Sequence, residues 1–471
     1  MGTRTVENGA ASSRAIEAAL RHHQSGRLSD AEAGYREVLA TDRENIDALH
    51  FLGVIAYQRA EYEQAAALIA QALSANDANA PAHNNLGNVL VDQGKLDEAA
   101  ACYQRALALQ PGYVDAHVNL GGVFKSLGRL AEAEASYREA LRIRPESAQA
   151  RFGQALLKLL RGEYAAGLAL YESRFEEDAV VGDASARTRM KELMGAPRWR
   201  GESLSGKRLL VWTEQGLGDN IMAMRFLPLL KNRRAQHLVV YCDPALARIV
   251  QGVSPVDKVV TRDLPIPFGE FDFHCPMMSL PLAFDTRVET IPNDIPYLFV
   301  PSGLKKEWAG KLAGTAGLKV GLAWAGSKTF ARDRLRSIRL ERFSPMFGIP
   351  GVKFISLQKD EAAAQIRESG LEVLDWMDEC GDVLDTAALI EQLDLVVSVD
   401  TGMAHLAGAL GKPVWLLNRH ESEWRWMLDR KDSPWYPTMR IFRQRDRGDW
   451  DAVLEDVASE LRGLGLSVRK S

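Results

Sequence analysis

The stretch Asn84–Gly94, NNLGNVLVDQG, returns in altered form 34 residues later as Val118–Gly128, VNLGGVFKSLG. The pair Leu52-Gly53 precedes Leu86-Gly87 by the same 34 residues. That spacing also relates a series of alanines and a series of large side chains, namely Ala31, Ala65, Ala99 and Ala133, and Tyr35, Ile69, Tyr103 and Tyr137. Small residues at fixed places let two antiparallel helices approach closely, and large residues fill the space between hairpins. The period therefore predicts an array of helix hairpins, with Gly94 and Gly128 at the turns.

This pattern resembles the tetratricopeptide repeat (TPR), with three good units, a weaker first unit at about 14–47 and a degenerate fifth at about 150–178. Such arrays stack into a superhelix whose concave face holds a peptide or a partner protein. Asn85 and Asn119 precede the Leu-Gly pair in two units. In the similar repeats of the O-linked N-acetylglucosamine protein transferases, asparagines at this position grip the acceptor backbone. The resemblance implies that Asn85 and Asn119 bind an acceptor; alternatively, they solvate a helix face.

Composition limits the class of protein. The 471 residues carry a formal net charge of −4, which gives no reason to expect nucleic acid as a partner. The four cysteines form no CxxC pair, so a zinc site is not indicated. The polar N-terminus and the lack of a long apolar stretch predict no signal peptide and no membrane span. We expect a cytoplasmic protein.

A change in composition predicts where the domains meet. All ten tryptophans lie between Trp199 and Trp450, and from Lys207 onward short apolar runs alternate with helical patterns. A second series of such strands runs from Lys319 to Leu417. Continuous apolar strands between helices imply parallel sheets covered on both faces, and two series imply two Rossmann-like lobes. The predicted divisions are a disordered N-terminus (1–13), a TPR array (14–178), a linker (179–204), an N-terminal acceptor lobe (205–300) and a C-terminal donor lobe (301–471).

The first strand-to-helix turn, EQGLGD at 214–219, is a candidate site. Gly216 and Gly218 allow a substrate to approach the backbone, and a helix N-terminus favours an anion. The turn does not match a dinucleotide fingerprint, because the third glycine would fall at Ile221. Asp219 is a candidate base or acceptor-binding residue; alternatively, it only caps the helix.

The second lobe carries two more candidate turns. Ser327 follows a strand, with Arg336 close behind, a combination that suits a phosphorylated ligand; alternatively, these are solvated loop residues. The stronger signal is DTGMAHLAGALGKP at Asp400–Pro413, where a buried strand ends and Thr401-Gly402 turns directly into a helix. That turn aims unpaired N–H groups and the positive end of the helix dipole at a ligand. His405, four residues after Thr401, shares its helix face and is predicted to bind the ligand as well.

These residues resemble glycosyltransferases of the heptosyltransferase type, whose C-terminal lobe carries the pattern found at Asp400–Pro413. The layout is similar to bacterial proteins that join TPRs to such a GT-B domain, in which EQGLGD, RSI, SLQ (ending here at Gln358) and DSPWYP recur. The resemblance implies a nucleotide-sugar donor, Asp219 as base, and a diphosphate held at the turn of Thr401, Gly402 and His405. The predicted donor- and phosphate-binding residues are Gly216, Gly218, Ser327, Arg336, Gln358, Asp400, Thr401, Gly402 and His405. The resemblance also implies a protein acceptor, flagellin in some members. The implied fold is an all-α TPR solenoid followed by an α/β GT-B region.

The predicted function is therefore transfer of a sugar from a nucleotide-sugar to a protein hydroxyl, without a metal or other cofactor. The catalytic residues are Asp219 and His405, and Glu214 or His274 could replace Asp219 as base. Two alternatives stay open: a transferase acting on a glycolipid or lipopolysaccharide, and a non-catalytic scaffold with a degenerate GT-B domain.

Overall fold

A computed structural model describes residues 2–176, 184–193, 195–328 and 333–468. The chain divides into two compact units, Met1–Leu157 and Lys158–Ser471. The helices that begin in the first unit are α1 (Gly2–Gln24), α2 (Leu28–Thr41), α3 (Ile46–Gln58), α4 (Tyr62–Ala75), α5 (Ala80–Asp92), α6 (Leu96–Leu109), α7 (Val114–Ser126), α8 (Leu130–Ile143) and α9 (Ala148–Leu160). Helix α1 begins at Gly2, within the stretch 1–13 for which the sequence predicts disorder.

Repeat packing in the first unit follows the predicted pairing of small and large residues. The alanines of the 34-residue series, represented by Ala99, are fully buried. A Cβ atom at Gly87 would lie 2.5 Å from the Tyr103 ring, and one at Gly121 would lie 2.8 Å from the Tyr137 ring. The glycines therefore make room for tyrosines of the following helix, and this interlocking repeats along the array.

The second unit contains two parallel sheets with their helices. Its helices are α10 (Tyr164–Tyr171), α11 (Ala184–Glu192), α12 (Leu217–Ala223), α13 (Ala247–Gln251), α14 (Leu280–Ala283), α15 (Ser302–Leu312), α16 (Gln365–Ser369), α17 (Val383–Glu391), α18 (Gly402–Ala409) and α19 (Trp450–Val468). Its strands are β1 (Arg208–Trp212), β2 (His237–Cys242), β3 (Lys258–Thr261), β4 (Phe273–Pro276), β5 (Leu318–Ala323), β6 (Val352–Ser356), β7 (Val373–Leu374), β8 (Leu395–Val399), β9 (Val414–Asn418) and β10 (Met439–Arg443). A helical array followed by parallel sheets is the predicted fold class.

The structure differs from the predicted domain boundaries in two places, in the fifth repeat and in the linker that follows it. Helix α10, the second helix of the predicted fifth repeat, lies in the second unit. Part of the predicted linker 179–204 is helical, in α11, and residues 179–183 and 194 of that linker lie outside the described residues.

The order of the strands determines where a ligand can bind. The first sheet, which with its helices we call the first lobe, has the order β3-β2-β1-β4, and the sheet of the second lobe has the order β10-β9-β8-β5-β6-β7. All strand pairs in both sheets are parallel. The chain reverses its direction of winding between β1 and β4 in the first sheet and between β5 and β8 in the second. Ligands of open α/β sheets bind beyond the carboxyl ends of strands at such switch points.

Candidate active site

The turn that follows β1 is held by its own side chains. Asn220 accepts a hydrogen bond from the Glu214 N–H at 3.1 Å and donates to the carbonyls of Glu214 and Gly216 at 2.8 and 2.9 Å. Asp219 accepts from the Gly216 N–H at 3.2 Å. Gly216 is the N-cap of α12 and Asp219 is the third residue of the helix, so Asp219 holds the helix start from within its first turn and is not itself the N-cap residue. This contact occupies one of the two carboxylate oxygens.

The turn that follows β8 is also held by a side-chain hydrogen bond at the start of its helix. The Thr401 hydroxyl accepts from the Met403 N–H at 3.3 Å, so Thr401 is the N-cap of α18. Arg336 donates to the main-chain carbonyl of Asp400 at 2.7 Å and therefore braces this turn from the β5 side. The sequence pattern and the local structure agree that α18 begins directly at the end of a buried strand.

The two turns meet in the folded chain. A Cβ atom at Gly218 would lie 2.6 Å from the His405 ring, and one at Gly402 would lie 3.2 Å from the Leu217 side chain. Gly218 is therefore needed for the close approach of the N-terminal ends of α12 and α18, and the packing at Gly402 is also tight. Residues of the predicted N-terminal and C-terminal lobes thus lie side by side.

His405 is buried between aromatic rings at this junction. Its Nδ1 lies 2.9 Å from the Tyr436 hydroxyl, and its ring centroid lies 5.0 Å from that of Trp426. Burial lowers the pKa of the His405 imidazole well below its ordinary value, and nearby guanidinium groups lower it further, those of Arg425, Arg225 and Arg336. His405 is therefore neutral near pH 7, and a neutral imidazole offers a single N–H donor to a ligand.

Arg425 joins the two lobes through Asp219. Its guanidinium donates to the second carboxylate oxygen of Asp219 and lies 4.7 Å from the centre of the Trp424 ring. From the sequence alone, the aromatic tract from Trp424–Trp426 to Trp435-Tyr436 is compatible with stacking on a base or sugar and with packing between the lobes. The sequence does not show that Arg425 contacts Asp219, which lies 206 positions away.

The remaining donor-side residues shape the turn after β5. The Gln358 amide oxygen accepts from the Trp324 and Ala325 N–H groups at 3.2 and 2.9 Å. Ser337 accepts from the Gly326 N–H at 2.9 Å, and Ser327 next to it is exposed. Gln358 therefore fixes the path of the backbone that leads to Ser327.

Glu214 and His274, the two substitutes considered for Asp219, are engaged elsewhere. The buried Glu214 carboxylate accepts from Arg174 at 2.7 and 3.0 Å. The Trp212 indole donates to His274 Nδ1 at 3.2 Å. Burial, together with the nearby Arg198 guanidinium, lowers the pKa of His274 to about 4. Of the three candidates, Asp219 alone is partly exposed, whereas Glu214 and His274 are buried.

The predicted acceptor residues lie on neighbouring repeats of the first unit. Asn85, on α5, contacts His50 at 2.9 Å, between its Nδ2 and the ring Nε2. Asn119, on α7, donates to the amide oxygens of Asn84 and Asn88 at 3.0 and 3.1 Å. Both asparagines are partly buried, so they take part in a polar network between repeats and still reach the surface.

Within the described residues, no group of three or more His, Cys, Asp or Glu side chains is placed to hold a metal ion. Of the helices within that part of the chain, none has both the length and the apolar character of a membrane span.

The chain is similar to known proteins over both of its parts. Residues 84–148 and 126–175 match the tetratricopeptide repeat, and residues 362–449 match glycosyltransferase family 9 (heptosyltransferase). Protein FlbA of Caulobacter vibrioides is 29% identical over 342 residues, which are 68% of this chain and 56% of FlbA. The chain thus spans little more than half the length of this curated relative.

Solved structures resemble part of the chain. The crystal structure of MamA is 22% identical with a TM-score of 0.31, covering 36% of this chain and 95% of MamA. The structure of Pseudomonas aeruginosa pilF is 24% identical with a TM-score of 0.35, covering 40% of this chain and 86% of pilF.

The family 9 match includes α18 and its N-terminal turn, and it confirms the resemblance inferred from Asp400–Pro413. It also supports a glycosyltransferase. The chain therefore combines tetratricopeptide repeats with a domain of the glycosyltransferase family 9 (heptosyltransferase) type.

Proposed function

We propose that this protein transfers a sugar from a nucleotide-sugar to a hydroxyl group of a protein that its repeats select, flagellin-like proteins being one class of acceptor. The observation that carries this proposal is the meeting of two helix N-termini, seen in the contact of Gly218 with His405. Each turn lies at the switch point of its own parallel sheet, where α/β folds bind ligands. One turn offers a carboxylate and the other offers N–H donors for a phosphate.

The turn at Thr401 and Gly402 is the proposed phosphate site. The positive end of the α18 dipole favours an anion at this turn, and Arg336, which also pairs with Asp333, lies beside it. In the transfer step negative charge develops on the departing phosphate. Fixed donors at that position lower the barrier, because they need no reorganisation as the charge appears.

Asp219 is the proposed general base. The acceptor hydroxyl oxygen forms a bond to the anomeric carbon of the sugar, and its proton passes to the Asp219 carboxylate. The bond from the anomeric carbon to the phosphate oxygen breaks, and its electron pair leaves with the nucleotide. A positioned base contributes about 10²–10⁴-fold to such a step.

The experiment is incorporation of labelled sugar by the full chain. UDP-, GDP-, ADP- and CMP-linked sugars are each supplied with crude protein and with crude glycolipid from a cell extract. We expect label in the protein fraction. Label in the lipid fraction alone would favour a glycolipid transferase, and label in neither, with no nucleotide bound, would favour a non-catalytic scaffold.

The role of the repeats is tested with the double variant Asn85→Ala/Asn119→Ala. We expect a higher KM for the protein acceptor with hydrolysis of the donor unchanged, because the substituted residues lie in the repeat unit. Asn76→Ala, at an exposed asparagine after α4, is the matched control. Equal KM values for the double variant and the control would remove these asparagines from the proposal.

A further inference from the structure

Arg425 is held at the candidate base by three kinds of contact. One guanidinium nitrogen donates to Asp219, another lies 4.0 Å from the Glu423 carboxylate, and the group packs on the Trp424 ring. The Arg425 side chain is 11% exposed and that of Asp219 is 18% exposed. An ion pair so far out of water is stronger than a surface pair and must be replaced by another good partner if it breaks.

This pair occupies the carboxylate that the proposed reaction needs. One Asp219 oxygen accepts from Arg425 and the other from the Gly216 N–H. A general base must turn an oxygen toward the hydroxyl whose proton it takes. Each Asp219 oxygen has a second lone pair, so Arg425 competes with the hydroxyl for the carboxylate, and its departure would leave one oxygen free for the proton.

The surroundings of Arg425 show which kind of acceptor would suit it. The Nε atom of Arg425 and the indole Nε1 of Trp426 are buried and have no hydrogen-bond partner among the described residues. Both atoms are donors, and Trp426 packs on His405 of α18. Buried donors without partners favour a ligand rich in acceptor oxygens, and the guanidinium fork matches a phosphate group.

The charges beside α18 point to the same ligand. Arg425, Arg225 and Arg336 all lie close enough to lower the pKa of His405. Arg336 is also bonded to the Asp400 carbonyl at the start of that helix. A phosphate at the N-terminus of α18 would therefore lie near the cation that now holds Asp219.

We propose that Arg425 changes partner: it holds Asp219 until the phosphate of the donor reaches α18, then binds that phosphate and frees the carboxylate for the acceptor hydroxyl. This proposal rests on the proposed function. It makes binding of the donor the event that releases the base from its cation.

The test is the affinity of the full chain for inorganic pyrophosphate, measured by titration calorimetry. Asp219 competes with the phosphate for Arg425, so Asp219→Asn is expected to tighten binding about tenfold, the effect of one charge-assisted hydrogen bond. Arg425→Gln is expected to weaken binding about tenfold. In the Arg425→Gln background, Asp219→Asn should have no effect, because the group for which the two anions compete is gone.

Two further variants separate exchange from simple support of the fold. Arg248 bonds Asp382 and Asp385 at 3.1 Å and also joins the two lobes, but at an exposed position. Arg248→Gln is expected to bind pyrophosphate as the unaltered chain does. Arg425→Lys keeps the charge without the fork and is expected to restore part of the affinity lost in Arg425→Gln.

The exchange is wrong if Asp219→Asn leaves the affinity unchanged or weakens it, or if pyrophosphate binds to neither form. Asp219→Asn preserves side-chain volume, and near-UV circular dichroism checks that each variant is folded. Failure of the proposed function looks different: no sugar is transferred from any donor. A chain that transfers sugar while Asp219→Asn fails to tighten pyrophosphate binding contradicts the exchange alone.

Discussion

Side-chain hydrogen bonds in the repeat unit recur at a constant interval, whereas those of the candidate site do not. Four bonds of the first unit join residues that are each 35 positions apart, namely His23 to Gln58, His50 to Asn85, Tyr57 to Asp92 and Asn84 to Asn119. In the second unit, Asp219 and Arg425 are 206 positions apart, and His405 and Tyr436 are 31 apart. One type of contact recurs along the repeat unit, whereas each contact of the site occurs once. A single substitution at the site should therefore be costly. The effect of a substitution in the repeats should depend on whether it disrupts the recurring contacts.

The largest effect is expected for Asp219→Asn, which removes the proposed base. Transfer of sugar should fall about 10²–10⁴-fold, the contribution of a positioned general base. The measurement is the initial rate of label incorporation at saturating donor. Asp243→Asn is the matched control, because Asp243 follows β2 as Asp219 follows the neighbouring β1 and also caps a short helix. An unchanged rate for Asp219→Asn would exclude it as base.

The next effect concerns the buried pair of Arg174 and Glu214. Arg174→Met leaves the Glu214 carboxylate buried without its cation, which costs about 3–5 kcal/mol of unfolding free energy. Tryptophan fluorescence in urea measures this loss for the second unit, because all ten tryptophans lie between Trp199 and Trp450. Lys353→Gln breaks an exposed pair with Glu372 in the same unit and should change the stability little. Equal effects of the two substitutions would contradict the importance of the buried pair.

Adjacent glycines of α7 test the repeat packing. A Cβ atom at Gly121 would lie 2.8 Å from the Tyr137 ring, whereas one at Gly122 would lie 3.8 Å from its hydroxyl. Gly121→Ala should destabilise the repeats by about 1–3 kcal/mol through overpacking. Gly122→Ala should be neutral or stabilise by up to about 1 kcal/mol, because alanine favours a helix. Circular dichroism at 222 nm during urea unfolding compares the two, and similar midpoints would contradict the close packing.

A smaller effect on the stability of the folded chain is expected from a change of pH. His274 stays neutral in the folded chain down to its pKa of about 4, but in the unfolded chain it takes up a proton below about 6.5. Between these values the unfolded state binds more protons, so stability falls as pH falls. At pH 5.5 the loss from this histidine is about 1.4 kcal/mol. His274→Gln should show a correspondingly weaker decrease of urea stability between pH 7 and 5.5, and parallel curves would contradict the burial of a neutral imidazole.

Removal of divalent metal ions is expected to have no effect on the rate of sugar transfer. The proposed phosphate site uses helix N–H groups and arginine, so treatment with EDTA should leave the rate of sugar transfer unchanged. Adding back Mg²⁺ or Mn²⁺ after EDTA serves as the control. A rate that is lost with EDTA and restored by a metal would contradict a metal-independent site.

Much of the fold could be predicted because its signals are local or periodic. The Leu-Gly pairs and the tyrosines indicate the hairpins, and the turn at Asp400–Gly402 indicates a helix that follows a buried strand. Strand β10 was missed because its residues, MRIFR, mix charged and apolar side chains at the edge of the sheet. Prolonged apolar runs, which indicated the central strands of that sheet, need neighbours on both sides.

The site was predictable only in part, for a physical reason. Asp219 and His405 could be found because each lies at a strand end with glycines beside it. Their partners, Arg425 and Tyr436, lie in a segment after β9 that has no regular period. The contact between lobes depends on how α12 and α18 pack, and a single sequence does not encode such a distance as a pattern.

The central claim is that the two turns form a nucleotide-sugar site, and ligand-dependent stability measures this most directly. The full chain is unfolded thermally with tryptophan fluorescence as the signal, in the presence of UDP, GDP, ADP or CMP. A nucleotide at 100 times its dissociation constant should add about 2.7 kcal/mol to the stability of the second unit. We expect that at least one nucleotide does so and that Gly402→Val, which would crowd Leu217 at the turn, abolishes the increase. No increase with any of the four nucleotides would contradict a nucleotide-sugar site at these turns.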